Sequence, residues 1–344
     1  MELASLRPVY EAEGPFATVY LEGRSPAEDA REELRLRWRA LREHLQAEEV
    51  PDGALTALDS ALAAALAGEA QANGRVLVAN ADKVVLDAPW DAAIGTGDGV
   101  FWQDLPRLGP YVREYTRAIR ELVVVASQTS ATVRQEVIAE QHEPRETAEQ
   151  EIEGSAYEQV HKPRGQGESH RRIQRRAEEA VSQNAKDIVH RLRKIASDFR
   201  PHALVLAGEV KGRQAVRAEL PDELDQIVAE TDRGGEGDKE SGLALSDEML
   251  RVAGEVGERK AHERTEQWQA AMAHELAAQG AKDVAHAAEM GAVETLLLEP
   301  GTHATREEFL IKVGSQTDAT LDLVSTGTEL NDGVAAILRY RMTS

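Results

Sequence analysis

Residues 161–176 read HKPRGQGESHRRIQRR, and they concentrate residues suited to phosphate chemistry in one short stretch. Lys162, Arg164, Arg171, Arg172, Arg175 and Arg176 stand against one acid, Glu168, a local charge of +5 in a chain whose net charge is −21. Guanidinium groups present planar, multidentate donors that match phosphate oxygens, so such a cluster is first a phosphate-binding device. Gly165 and Gly167, with Pro163 ahead of them, give the backbone a turn that other residues resist. A chain basic throughout would bind nucleic acid loosely, whereas one basic prong on an acidic body suits docking on one anionic target.

Other chemistries lack their residues. The chain has no cysteine, which removes disulfides, Cys-based metal sites and thiol catalysis. The glycine-rich runs GTGDG (95–99) and GGEGDKES (234–241) do not fit the phosphate-loop pattern with its Lys-Ser/Thr pair. His262, Glu263, Glu266, His274 and Glu275 share a helical segment without HExxH spacing, so a solvated face outweighs a metal site. No GxSxG supports serine catalysis. The aromatic residues are scattered rather than interleaved with bases, which argues against a stacking platform for single strands. No metal, cofactor, membrane span or signal segment is expected, DNA binding is disfavoured by the acidic body, and the expected compartment is the cytoplasm.

Several elements must position the basic run. Leu34, Trp38, Leu41 and Leu45 form one stripe of a helix over 26–48; a second helix covers about 54–67. GRVLVAN (74–80) and KVVLDAP (83–89) read as a hairpin, and 94–112 as a loop-rich link. A new unit opens with strands at 121–127 and 131–138, followed by a polar extended region, 139–160. From Ser169 a helix is predicted to run to about Phe199, stopped by Arg200-Pro201. A buried strand (201–210), a short helix and a strand at 224–230 complete an α/β unit. An acid-rich stretch reads as a linker. Beyond it a helix is predicted over about 246–279, ending at Gly280, then a helix capped by Gly291, a strand at 293–299, a helix at 305–312 and strands at 319–325 and 334–341. The expected domains are 1–117 (α+β), 118–230 (α/β, carrying the basic loop), an acidic linker at 231–244, and 245–344 (α/β).

GAKDVAHAAEMGAVETLLLEP (280–300) and NDGVAAILRYRM (331–342) closely resemble the third domain of the archaeo-eukaryotic class-1 release factors and Pelota. Ser169-His170-Arg171-Arg172-Ile173-Gln174-Arg175 stands where that superfamily has "SxxRFxR" after a Gly-Gly-Gln loop. Residues 151–189, with VYEAEGPFATVYLE (9–22), are similar more narrowly to its bacterial branch, that of Balon-type ribosome-hibernation factors. The resemblance implies a ribonuclease H-like middle domain and a C-terminal α/β sandwich like that of kink-turn-binding ribosomal proteins. It implies a ribosomal partner, with ribosomal RNA contacts at the A site and the peptidyl-transferase centre, and a second partner, elongation factor Tu, at the third domain.

Nuclease chemistry is not expected. A two-metal site needs an acid on the first strand of the middle domain, and that strand, read as Val123-Val124-Val125-Ala126-Ser127, has none. Aligned on Ser169, the Gly-Gly-Gln positions fall on Gln166, Gly167 and Glu168, so the catalytic glutamine is replaced by a carboxylate that lacks an amide donor. The expectation is therefore a ribosome-binding factor without a catalytic residue, its RNA-binding set being Lys162, Arg164, Gly165, Gln166, Gly167, Glu168, Ser169, Arg171, Arg172, Arg175 and Arg176. The alternative is peptidyl-tRNA hydrolysis in ribosome rescue, with Gln166 as the positioning amide. A blander reading, in which the arginines pair with Glu178 and Glu179 on a solvated helix, leaves the Gly-Pro loop unexplained. No NIKS-like loop or Tyr-x-Cys-x-x-x-Phe motif is present, so stop-codon reading is unsupported.

Overall fold

A computed structural model describes residues 1–22, 30–65, 74–90, 97–139, 145–156, 170–233 and 239–342. Three sheets organise them, and they fall into two compact units: Met1–Arg117 with Glu258–Ser344, and Ala118–Gly257.

In the first unit, strands β1 (Phe16–Leu21), β2 (Gly74–Ala79), β3 (Val84–Trp90) and β4 (Gly99–Gln103) form an antiparallel sheet in the order β3-β2-β1-β4. Every residue of β1 is buried, because both faces are covered. Ala17, Val19 and Leu21 face the helices Ala30–Ala47 and Asp52–Ala65, while Phe16 and Tyr20 join Trp90 on the other face. The stretch 94–112, expected as loop, instead supplies β4 and the start of the Gly109–Arg117 helix. Val100 and Trp102 of β4 pack on the helical face of the sheet, and Phe101 lies on the other.

That other face shares its core with the C-terminal segment. There β10 (Ala277–Gln279), β11 (Val293–Leu298), β12 (Thr320–Leu323) and β13 (Val334–Leu338) order as β10-β13-β11-β12, with helices Ala281–Glu289 and Glu307–Gln316. Leu3 and Leu6 pack among Leu310, Ala319 and Leu321, and Arg7 pairs with Asp318 at 2.7 Å. Arg113 forms a fork on Glu307, with both N–O distances 2.6 Å, and donates further to the Glu299 and Thr302 carbonyls. Glu307 is fully buried, so this ion pair exists only because its oxygens are fully employed.

The second unit is a three-layer α/β arrangement. Strands β5 (Ile119–Ala126), β6 (Ser130–Ile138), β7 (Arg145–Glu153), β8 (Ala203–Gly208) and β9 (Val228–Glu230) lie in the order β7-β6-β5-β8-β9. The first three are antiparallel and β5-β8-β9 parallel, the ribonuclease H-like topology that the resemblance implies. Leu122, Val124 and Ala126 face the His170–Phe199 helix; Ile119 and Val123 face residues 245–256 of the Lys239–Ala273 helix.

Several boundaries differ from expectation. The polar region 139–160 contains a nine-residue strand, β7, whose residues 146–151 are exposed, so no apolar alternation marks it. The acidic stretch expected as a linker is helical from Lys239 onward. That helix stops at Ala273; 277–279 form β10, and Gly280, at φ +88°, opens the next helix rather than closing the last. At Asp222–Asp225 a helical turn replaces the first half of the strand expected at 224–230.

One correction bears on chemistry. The strand expected at 121–127 is β5, Ile119–Ala126, and it does carry an acid, Glu121, which the reading of Val123–Ser127 alone left out. Glu121 sits directly opposite Glu136 of β6. It is fully buried with neither carboxylate oxygen hydrogen-bonded, and one oxygen of Glu136 is likewise unpartnered. Burial, then the charges of Glu136 and Glu248, push Glu121 up to about 9; burial pushes Glu136 up to about 7, against the pull of Arg134. Among the described residues no third ligand completes a metal-binding group here, and the sheet face is covered by helix. A buried carboxyl kept neutral by a proton, as at Glu121, is the opposite of an open two-metal site.

Candidate nucleic-acid interface

The His170–Phe199 helix begins with the last residues of the basic run. Ala180, Ala185, Ile188, Val189, Leu192 and Ala196 are its buried face. Ahead of Ala180 the helix buries nothing between 175 and 179: Arg175, Arg176, Glu178 and Glu179 are exposed and Ala177 half-buried. A helix open to water on every side gains nothing from a core, and its stability rests on backbone bonds and side-chain pairs.

The chain leading into the basic run is anchored on this same helix. Asn184, buried in the sheet-facing surface, accepts from the Ala156 N–H at 2.8 Å and donates to the Gln128 carbonyl at 3.1 Å. Gly154 lies so near Asn184 that a Cβ there would fall 2.2 Å from its side-chain oxygen, which makes glycine obligatory. Asp187 accepts from the Ser155 hydroxyl at 2.6 Å, its amide at 2.9 Å and the Gln183 amide at 3.1 Å. Burial opposes ionisation of Asp187, but the Ser155 and Gln183 bonds and the nearby His190 outweigh it and hold its carboxyl below the usual range.

The expected RNA-binding residues divide into three groups. Lys162, Arg164, Gly165, Gln166, Gly167, Glu168 and Ser169 lie outside the described residues. Arg171 and Arg172 are on the first turn of the helix. Arg175 and Arg176 are exposed on the next turn, where Arg175 lies 3.9 Å from Glu179, both about 70% exposed. A pair so open and so long holds little energy, roughly a few tenths of a kcal/mol, and yields readily to a phosphate.

Other ionisable clusters do less. His303, Glu307 and Glu308 place ligand atoms within 4.8 Å of one another. Both Glu307 oxygens already serve Arg113, and one also accepts the Ala304 N–H at 2.7 Å, so a cation there would have to displace a guanidinium. His262 and Glu266 form an exposed pair at 3.3 Å, consistent with a solvated face. No described helix is long and apolar enough to cross a membrane.

Residues 120–274, which span the middle sheet, the basic helix and the Lys239–Ala273 helix, match the family "Bacterial archaeo-eukaryotic release factor family 2". Over that segment the chain is similar to the bacterial branch of the archaeo-eukaryotic release factors. Full-length relatives of this release-factor-like chain include the uncharacterized proteins Rv2629 and MT2704 of two Mycobacterium tuberculosis strains, each 25% identical over 383 positions that take in 100% of this chain and 98% of theirs. Among solved structures it is similar to Saccharomyces cerevisiae Dom34, a translation termination-like factor interacting with Hbs1 (12% identity, TM-score 0.46, covering 99% of this chain and 93% of that one). It is also similar to archaeal Pelota in a ribosome-bound model with ABCE1 (14% identity, TM-score 0.46, covering 99% and 95%).

Sequence reasoning missed Asn184, Asp187 and Gly154, the residues that fix the stem of the basic run. The signal was present as an Asn and an Asp on an otherwise regular helix, with a lone glycine after a polar strand.

Proposed function

We propose that this protein is a ribosome-binding factor of the hibernation type. Its basic loop (Lys162 to Ser169) enters the A site and reaches towards the peptidyl-transferase centre, and the arginines at the helix start hold ribosomal RNA phosphates. The observation that carries the reading is the helix start itself: a turn bearing Arg175 and Arg176 that stands exposed on a strongly acidic protein. The match of residues 120–274 to a release-factor family supports a ribosomal rather than a general RNA target. Solved relatives include a ribosome-bound Pelota. The C-terminal segment is assigned elongation factor Tu as partner on the resemblance of residues 280–300 and 331–342 alone. Glu168 at the glutamine position makes the bound state non-hydrolytic, because a carboxylate among phosphates is repelled and donates no hydrogen bond to the attacking water's site.

A second reading rests on Gln166, two residues ahead of the expected position, as the positioning amide of a rescue hydrolase. One set of assays separates the two. Purified protein should pellet with ribosomes at low salt and be stripped by salt, and Arg175→Glu with Arg176→Glu should weaken pelleting at least tenfold. Ribosomes carrying labelled peptidyl-tRNA should release no peptide above background. Release that disappears in Gln166→Ala would establish the hydrolase instead. Protein that stays in the supernatant at low salt would end both readings.

A further inference from the structure

The cationic character of the His170–Phe199 helix does not stop at its exposed start. With 100° per residue, positions 175, 179, 183, 186, 190, 193 and 197 fall on one stripe opposite the buried face, with 194 beside it. These are Arg175, Glu179, Gln183, Lys186, His190, Arg193 and Ser197, flanked by Lys194, and all are exposed. The stripe runs about 33 Å along the helix at about 1.5 Å per residue. Its far half, from Lys186 on, contains no acid.

Lys186, Arg193 and Lys194 form no ion pair among the described residues. Acids outnumber bases 61 to 40 in this chain, and several of its arginines find them. Arg213 and Arg217 share Glu230, Arg251 takes Glu248 and Glu255, Arg42 takes Asp59 and Arg264 takes Asp322. The acid beside Lys186 in sequence, Asp187, spends its oxygens on Ser155 and Gln183. In a protein with surplus carboxylates, three cations exposed along one helical stripe with no acid among them leave that surface open to an external anion.

The composition of the stripe selects the anion. No apolar residue lies on it, so it lacks what an interfacial membrane helix inserts and what a protein interface buries. No aromatic residue lies on it either, so unstacked bases have no platform. A row of cations with a small hydroxyl, Ser197, and a ring nitrogen donor at His190 matches the phosphate backbone of a duplex.

We propose that Lys186, His190, Arg193 and Lys194 form a second RNA-backbone contact, separate from the basic loop, that lies along double-helical RNA. The proposal rests on the ribosomal reading above for the identity of the RNA, which would be a ribosomal helix flanking the path of the loop. The loop then provides reach and the stripe provides alignment, since two contacts spaced along one rigid helix fix a direction that a single contact leaves free.

The test uses the full-length protein and the triple variant Lys186→Ala, Arg193→Ala, Lys194→Ala, whose truncated side chains are exposed; equal thermal melting of the two checks folding. Ribosome affinity is measured across a potassium chloride series. Each phosphate contact contributes about 0.7–0.9 to the slope of log affinity against log salt, so the triple variant should flatten the slope by about 2 to 3. It should also bind about tenfold or more weakly at moderate salt. A slope equal to wild type, with binding intact, overturns the stripe and leaves the ribosomal reading standing. Should wild type fail to bind ribosomes, that reading falls, and a synthetic 24-base-pair RNA duplex decides the stripe by the same slope comparison. Loss of binding to phosphatidylserine vesicles in the variant, with no change on either RNA, would reassign the surface to lipid and overturn the proposal.

Discussion

Two buried glutamates show opposite ways of keeping a carboxyl group inside a protein. Glu307, in the first unit, has both oxygens gripped by Arg113, and the Ala304 amide adds a third bond. Glu121, in the second, has no partner on either oxygen and faces another glutamate across the strand pair. The first is neutralised by a side chain, the second by a proton. The difference teaches that an acidic residue in a core is not by itself a mark of catalysis; what its oxygens touch decides its state.

The comparison can be broken most forcefully at Arg113. Arg113→Met strands Glu307 in a closed core, and removing one partner of such a pair costs about 3–5 kcal/mol. Urea unfolding followed by tryptophan fluorescence should show the midpoint of the first unit fall sharply. Adding Glu307→Leu should restore much of the loss, because replacing both ions by apolar groups is often nearly neutral.

Glu121 sharpens the contrast through pH. Its folded-state value of about 9 lies above that of the unfolded chain, so the proton it holds stabilises the fold fully at low pH. That contribution is lost as pH rises towards the folded value, at about 1.4 kcal/mol per pH unit for one group. Wild type should therefore weaken steadily between about pH 6 and pH 8, whereas Glu121→Gln, which mimics the protonated form, should flatten the curve. Glu136→Gln should act in the same direction but less, since burial raises it only to about 7 and Arg134 opposes the shift. A wild-type melting temperature independent of pH over this range would refute the proton account. Smallest of all, Arg35→Ala removes the exposed Arg35–Glu32 pair at 2.7 Å and should change stability by no more than about 0.5 kcal/mol.

The sequence made visible what is repetitive and what is punctuated. The basic helix was legible from its three- and four-residue apolar spacing and its Arg200-Pro201 stop, and it ends at Phe199. Gly291 was legible as a helix stop, and its φ of +68° explains why. β8 was legible because a strand covered on both faces is apolar throughout. β7 was not: it sits at the rim of its sheet and presents RETAEQEIE, which carries no alternation to read. Glu121 was missed because the valines after it form the more conspicuous run. The burial of Leu3 and Leu6 against Leu310 and Leu321 depends on partners some three hundred positions away, beyond any local pattern. Of the candidate interface, the charge was readable and the anchoring was not, since Asn184 and Asp187 act on the backbone of residues 154–156 and only the fold brings these together.

That anchoring has a practical corollary. Residue 156 is tied to Asn184, and the chain re-enters at His170 on the very same helix, so both flanks of the intervening segment are mounted on one rod. A protease cut within 157–169 would sever the polypeptide without parting the protein. The nicked material should migrate as a single species until denaturant releases two fragments.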